Sequence, residues 1–266
     1  DLPKLDLPKE TPITAPVVRE ILGPDAESVA LAWRFPGAAD KDVETLQVVS
    51  QILYNGQAGL IDLDLTQQQK TLSAYCYPMT MSDYSAFMMQ GRPKQGQTLD
   101  EVKDLLLGEL KKLREGDFDE KMLEANINNF KLYQMQQLEN NDARADMFVE
   151  SFVNGSDWAD EVTALDRMSK LTKDDIVAFA NKYLKDDNYA VIYKKQGKDP
   201  NEKKMSKPEI TPIVMNRDTV STFLKEIQAS VVTPIEPVFL DYSKDLTQLK
   251  AKSDIPVLYK QNTTND

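Results

Sequence analysis

The chain of 266 residues is 41% hydrophobic and 28% charged, a profile that suits a folded protein with a core of ordinary size, and no run approaches the roughly 18 consecutive apolar residues of a membrane span. Its formal charge of −11 repels phosphate backbones, and its basic cluster falls in a linker-like stretch, so nucleic acid is not an expected partner. With no histidine and one cysteine, Cys76, the chain can form no Ser-His-Asp triad, Cys-His pair, H-x-x-E-H zinc motif or internal disulfide.

The opening DLPKLDLPKETPITAP is proline-rich and polar and lacks the charged start and apolar block of a signal peptide, so residues 1–16 read as an entry linker. Val17 to Leu22 is read as a short strand before a Gly23-Pro24 turn. From Ser28 to Phe35 the larger side chains Val29, Leu31, Trp33 and Phe35 alternate with Ala30, Ala32 and Arg34, which predicts a strand with one strongly apolar face. After Pro36-Gly37, Val43, Leu46, Val49 and Leu53 recur on one helical face, and the helix breaks at Asn55-Gly56. A second helix is expected over 58–69, with Leu60, Ile61 and Leu65 toward the core.

Leu72–Met79 and Tyr84–Met89 read as an antiparallel pair of strands, followed by GRPKQG at 91–96 as a turn-rich loop. Thr98 and Glu101 make a T-x-x-E capping box for a helix whose buried stripe is Val102, Leu106, Leu110 and Leu113. Helices are then expected over about 119–138, with Leu123, Ile127 and Phe130 on one face, over 143–153 with a left-handed stop at Asn154-Gly155, and over 158–168. Thr172 and Asp175 cap one more helix through Tyr183, and Tyr189–Tyr193 closes the domain as a strand. From Lys194 the chain turns Lys- and Pro-rich. A short amphipathic helix over 218–229, with Val220, Phe223, Leu224 and Ile227 on its apolar side, precedes extended apolar pieces at 238–240 and 255–259.

This order predicts an α+β fold, a two-layer sandwich with an antiparallel-rich sheet and helices packed on one face. The expected division is an entry linker over 1–16, one domain over 17–197, and a linker and short helix over 198–266.

Several residues invite a chemical reading. Asp62 and Asp64 could pair for acid-base or hard-cation chemistry, but side chains two apart on a helix diverge, and an exposed helix surface is preferred. Cys76, with apolar neighbours and no histidine to activate it, reads as a buried strand residue. Asp174 and Asp175 support a helix N-terminus, and GRPKQG lacks the GK[ST] ending of a phosphate loop. Tyr75, Tyr77, Met79, Met81, Tyr84, Met88 and Met89 are expected to pack as core under the helices, with a face toward a peptide or another domain as the alternative.

The run LYNGQAGLIDLDLTQQQKTLSAYCYP, together with LTKDDIVAFANKYLKDDNYAVIYKKQG, resembles insulinase/pitrilysin-type zinc peptidases, which include the mitochondrial processing peptidases. The resemblance covers roughly Val17 to Gly197. It implies a mitochondrial-processing-peptidase-like fold built from repeated domains, of which a catalytic one carries H-x-x-E-H on the helix after its first strand and a further Glu downstream. Here that helix reads DVETLQVVSQIL, in which Gln47, Ser50 and Gln51 are polar but none replaces an imidazole as a metal ligand. The resemblance therefore implies a non-catalytic domain that is inactive by itself, with no catalytic, cofactor-binding or metal-ligating residue assigned. Zinc is expected in a catalytic domain outside this chain. The implied partners are other domains of the same polypeptide and a peptide substrate. A stand-alone non-catalytic scaffold of the same fold is the alternative, and an unrelated α+β ligand-binding domain is a third.

Overall fold

The computed structural model describes residues 8–199, 209–211, 219–234, 236–237, 239–252 and 254–263. The chain divides into two compact units, residues 1–201 and 202–266. The first contains β1 (Val17–Gly23), β2 (Ser28–Pro36), α1 (Lys41–Leu53), β3 (Ser73–Met79), β4 (Tyr84–Arg92), α2 (Leu99–Glu115), α3 (Lys121–Leu138), α4 (Asn141–Asn154), α5 (Trp158–Met168), α6 (Lys173–Tyr183) and β5 (Tyr189–Gln196).

Among the described residues these strands form one five-stranded sheet in the order β1-β5-β2-β4-β3, parallel between β1 and β5 and antiparallel elsewhere. β2 lies at its centre because alternation gives it one face of large apolar side chains, which burial against helices rewards. Its Leu31 sits opposite Met89 on β4 and Val191 on β5, and its Trp33 opposite Phe87 and Tyr189. Register partners share a face, so these residues and Ala74 and Cys76 of β3 form one buried layer. The helices cover that layer, and the opposite face of the sheet is left open. The α+β sandwich with helices on one face is the architecture the sequence predicts.

α1 is buried on more than one stripe. Val48, Ser50 and Ile52 are buried along with Val43, Leu46, Val49 and Leu53, because the helix packs on the sheet and is flanked by α2, α3, α5 and α6. Both capping boxes form: the Thr98 and Thr172 hydroxyls accept from the N–H of Glu101 and Asp175, whose carboxylates accept from the N–H of Thr98 and Thr172. α4 ends as expected, with Gly155 left-handed at φ 69°.

Two expectations need correction. The helix expected over 58–69 is present but shorter: it runs from Leu60, widens to a π-helical turn at Asp62–Thr66 and ends in a turn at 67–69, while residues 58–59 belong to the loop that Asp62 ties. GRPKQG is not all loop. Gly91 and Arg92 continue β4, Arg92 paired with Ser73, and the absence of a Cβ on Gly91 admits the Val102 side chain of α2.

Beneath the helices, Glu109 is buried and its carboxylate accepts from the Lys112 ammonium at 3.2 Å, while Lys112 also binds Asp64 at 2.6 Å. Burial pushes the Glu109 carboxyl up, and Lys112 opposes this without cancelling it. A carboxyl raised by folding favours the folded state in acid, and that contribution is lost as pH rises through the folded value. Glu109→Gln is therefore expected to gain on wild type as pH rises from about 4 to about 7. Paired thermal melts at the two pH values check this, and a gap that is constant or reversed contradicts it.

The second unit contains α7 (Thr222–Ala229), whose Ser221 hydroxyl accepts from the Leu224 N–H, and a hairpin of β6 (Thr247–Lys250) and β7 (Pro256–Tyr259). The apolar residues Phe223, Leu224 and Ile227 of α7 are exposed within it. The pairing of 256–259 with 247–250 was not foreseen, since the second partner is short and polar. Asp218 and Val238, which the sequence reading places in a helix and an extended piece, lie outside the described residues.

Candidate functional site

The place to look for chemistry is where α1 ends against β3 and α3. Gln47 is exposed on α1, and Ser50 is buried with its hydroxyl 4.0 Å from the Cys76 sulfur. Cys76 in turn directs its thiol toward the Ser50 carbonyl at 3.7 Å. Burial pushes that thiol up, strongly, so it stays protonated and is neither a nucleophile nor a metal-binding thiolate. This agrees with the reading of Cys76 as a buried strand residue.

The loop that follows is organised by two side chains. Asp62 is only 4% exposed, and one carboxylate oxygen accepts from the main-chain N–H of Asn55, Gly56 and Gly59 at 3.0, 3.1 and 2.9 Å. The Asn55 amide donates to the Gln51 carbonyl and to the Asn126 side-chain oxygen on α3, and its own oxygen caps the N–H of Gln57 and Ala58. Gly59 packs so closely that a Cβ there would lie 2.6 Å from the Leu53 carbonyl oxygen. The expectation of Asp62 on an exposed helix surface is thus corrected. An aspartate at the foot of a turn can satisfy several amide donors at once, and those donors are worth more to it here than water. Asp64 is also held, by Lys112. The two carboxylates do not converge.

Asn126 is the residue the sequence reading missed. It is buried, and its Nδ2 has no hydrogen-bond partner among the described residues. The signal was present: Asn126 stands three residues after Leu123 and beside Ile127, on the stripe predicted to be buried.

The open face of the sheet is the other candidate surface. Register places Tyr75, Tyr77 and Met79 of β3 beside Gln90, Met88 and Ala86 of β4, then Ala30, Ala32 and Arg34 of β2, then Ile192 and Ala190 of β5. The Tyr75 hydroxyl donates to Gln90 at 2.7 Å, and its ring stacks with Tyr77 at 6.1 Å between centroids. Tyr77 and Met79 are 37% and 43% exposed, and Met81 is exposed beyond the strand. Core packing holds only for Met89. The rest of the aromatic and methionine run is not core under the helices, because the small residues Ala74 and Cys76 take the helix side and turn Tyr75 and Tyr77 outward.

Comparison with known proteins now bears on these features. Residues 1–130 match the family model described as the peptidase M16 inactive domain. Over these residues the chain is similar to that family's inactive domain. The zinc protease PqqE of Helicobacter pylori is 24% identical over 194 residues, covering 73% of this chain and 43% of that protein. The crystal structure of a protease from Helicobacter pylori matches with a TM-score of 0.68 at 21% identity, over 73% of this chain and 48% of its own. The peptidase M16 inactive domain from Pseudomonas fluorescens matches with a TM-score of 0.63 at 16% identity, over 74% of this chain and 47% of its own. The chain spans less than half the length of each of these relatives. At such identities the structural likeness shows the fold, and the fold is that of M16 inactive domains.

The M16 relationship makes zinc the group to test against α1. Gln47, Ser50 and Gln51 offer neutral amide and hydroxyl groups, Asn126 a further amide, and Cys76 a protonated thiol. These residues do not fit a zinc ion, which takes imidazole, thiolate or carboxylate donors. Among the described residues, no group of three or more Cys, Asp, Glu or His side chains is placed to hold a metal, and no helix is long and apolar enough to cross a membrane.

Proposed function

We propose that this chain is the non-catalytic wall of a peptide-enclosing chamber in a larger zinc-dependent peptidase, with the zinc and its general-base glutamate on a domain outside this chain. In that role α1 holds the sheet and the Asn55–Gly59 loop in shape, and its polar residues do no chemistry. The single observation that supports the chamber role most directly is the one-sided sheet. Helices cover one face, while the other presents Tyr75, Tyr77, Met79 and Met88 around the small residues Ala30, Ala32 and Ala86. Flat aromatic and adaptable methionine side chains over small residues suit peptides of varied sequence. Bond cleavage would use a zinc-bound water, which this chain's own residues neither bind nor activate.

The test is to incubate the purified chain with zinc and an extended, fluorescence-quenched peptide while following its methionine methyl resonances. The expected result is no chelator-sensitive cleavage, with Met79 and Met88 shifting on peptide addition and Met89 unmoved. Zinc-dependent hydrolysis overturns the non-catalytic assignment, and unshifted Met79 and Met88 overturn the chamber role.

A further inference from the structure

We propose that Arg34 and Tyr84 form a binding site for the main chain of a proline-bearing, non-helical peptide segment, and that residues 8–13 of this same chain occupy it. Arg34 on β2 stands opposite Ala86, and Tyr84 opposite Pro36, so the two are diagonal neighbours at one corner of the open sheet face. The guanidinium lies 5.6 Å from the centroid of the Tyr84 ring. Its Nη2 donates to the main-chain carbonyl of Thr11 at 3.1 Å, and the Tyr84 hydroxyl accepts from the main-chain N–H of Glu10 at 3.0 Å. Beside these contacts runs a cleft of about 860 Å³ whose lining includes Pro8, Pro12 and Ile13 of the segment together with Phe35, Pro36 and Tyr84.

Arg34 forms no ion pair among the described residues. A permanently charged side chain is thus set on an aromatic ring and spent on a peptide carbonyl, a use that its planar donor fork suits. Both hydrogen bonds go to main-chain atoms, so the site reads an N–H at one residue and a carbonyl at the next, whatever their side chains. The flanking prolines have fixed φ and no N–H to satisfy, which lowers the entropy lost when the segment is held. Proline is compatible at positions 8 and 12 and incompatible at position 10, where the donor is required. The site lies on the same sheet face as the chamber surface, yet nothing in it depends on that role.

Trypsin reads the site directly, because the bond after Lys9 is the one whose N–H is held by Tyr84. Protection is the rate of cleavage there in a synthetic peptide of residues 5–16 divided by the rate in the folded chain. Arg34→Ala is expected to lower protection about tenfold and Tyr84→Phe about threefold, with Arg34→Lys between Arg34→Ala and wild type. Thr11→Ala keeps the carbonyl and is expected to leave protection unchanged relative to its own matched peptide. Tyr84→Phe keeps the ring and the fold, so it decides the matter if Arg34→Ala shows an altered melting curve. Wild-type protection in Tyr84→Phe, or a loss in Thr11→Ala as large as in Arg34→Ala, overturns the proposal.

Discussion

Trp33→Ala is expected to destabilise the first unit by about 4 kcal/mol, the range for deleting a fully enclosed aromatic side chain. Trp33 is 0% exposed at the centre of the central strand. Its ring stacks on Tyr189 at 5.1 Å between centroids and tilts against Phe87 at 6.3 Å, so one side chain joins β2 to both its neighbours. The indole N–H donates at 3.0 Å to the carbonyl of Lys185, in the turn that leads from α6 into β5. Alanine removes the packing and leaves that carbonyl without its donor. In a unit of this size the loss corresponds to a fall of roughly 10 °C in melting midpoint. Trp33→Phe separates the two contributions, since it keeps most of the ring volume and loses the donor, and about 1–2 kcal/mol is expected. Urea titration of the three proteins is the measurement. If Trp33→Ala costs no more than Trp33→Phe, packing across the strand is not what Trp33 supplies.

Why so much of this fold was legible follows from where its information lies. β2 announces itself because Val29, Leu31, Trp33 and Phe35 face one layer, and period-two alternation has no other cheap explanation. The capped helices are equally plain, since Thr98 with Glu101 and Thr172 with Asp175 are local chemistry that needs no tertiary partner. The failures share a cause. At Tyr75 and Tyr77 the size of the side chain suggested core, but facing is decided by register with β4, which a single strand does not contain. Apolar spacing at Leu60, Ile61 and Leu65 suggested a helix, and all three are buried as predicted. What the spacing omitted is that Asp62 between them turns back to the loop. A buried carboxylate bound to main-chain amides leaves no mark in hydropathy. At the candidate site the sequence shows that α1 carries no histidine, but the network beside its end was illegible, because Asn126 reaches it from 71 residues downstream of Asn55.

The second large effect is expected at Asp62. Asp62→Ala removes one oxygen that accepts three main-chain hydrogen bonds, and a loss of about 3 kcal/mol is expected from charge-assisted bonds to partly buried donors. The Gly59 N–H is the most exposed to this change in energetic terms, since its bond to Asp62 is buried and no water replaces it easily. Asp62→Asn keeps an acceptor oxygen of the same reach but loses the charge that strengthens the three bonds. It is expected to recover no more than about half the loss. The loop should loosen locally as well as weaken the whole: Asn55, Gly56 and Gly59 amides exchange faster in both variants, while amides of β2 and β5 follow global stability alone. Gly59→Ala reaches the same loop by another route. Its Cβ would meet main-chain atoms of Leu53 and Tyr54 within 2.7 Å, and main chain at the end of α1 cannot step aside as a flexible side chain can. Hydrogen exchange and chemical denaturation together decide the point. If Asp62→Ala lost less than about 1 kcal/mol with those amides still protected, the loop would be held by the packing of Leu60, Ile61 and Leu65, and the carboxylate would be incidental.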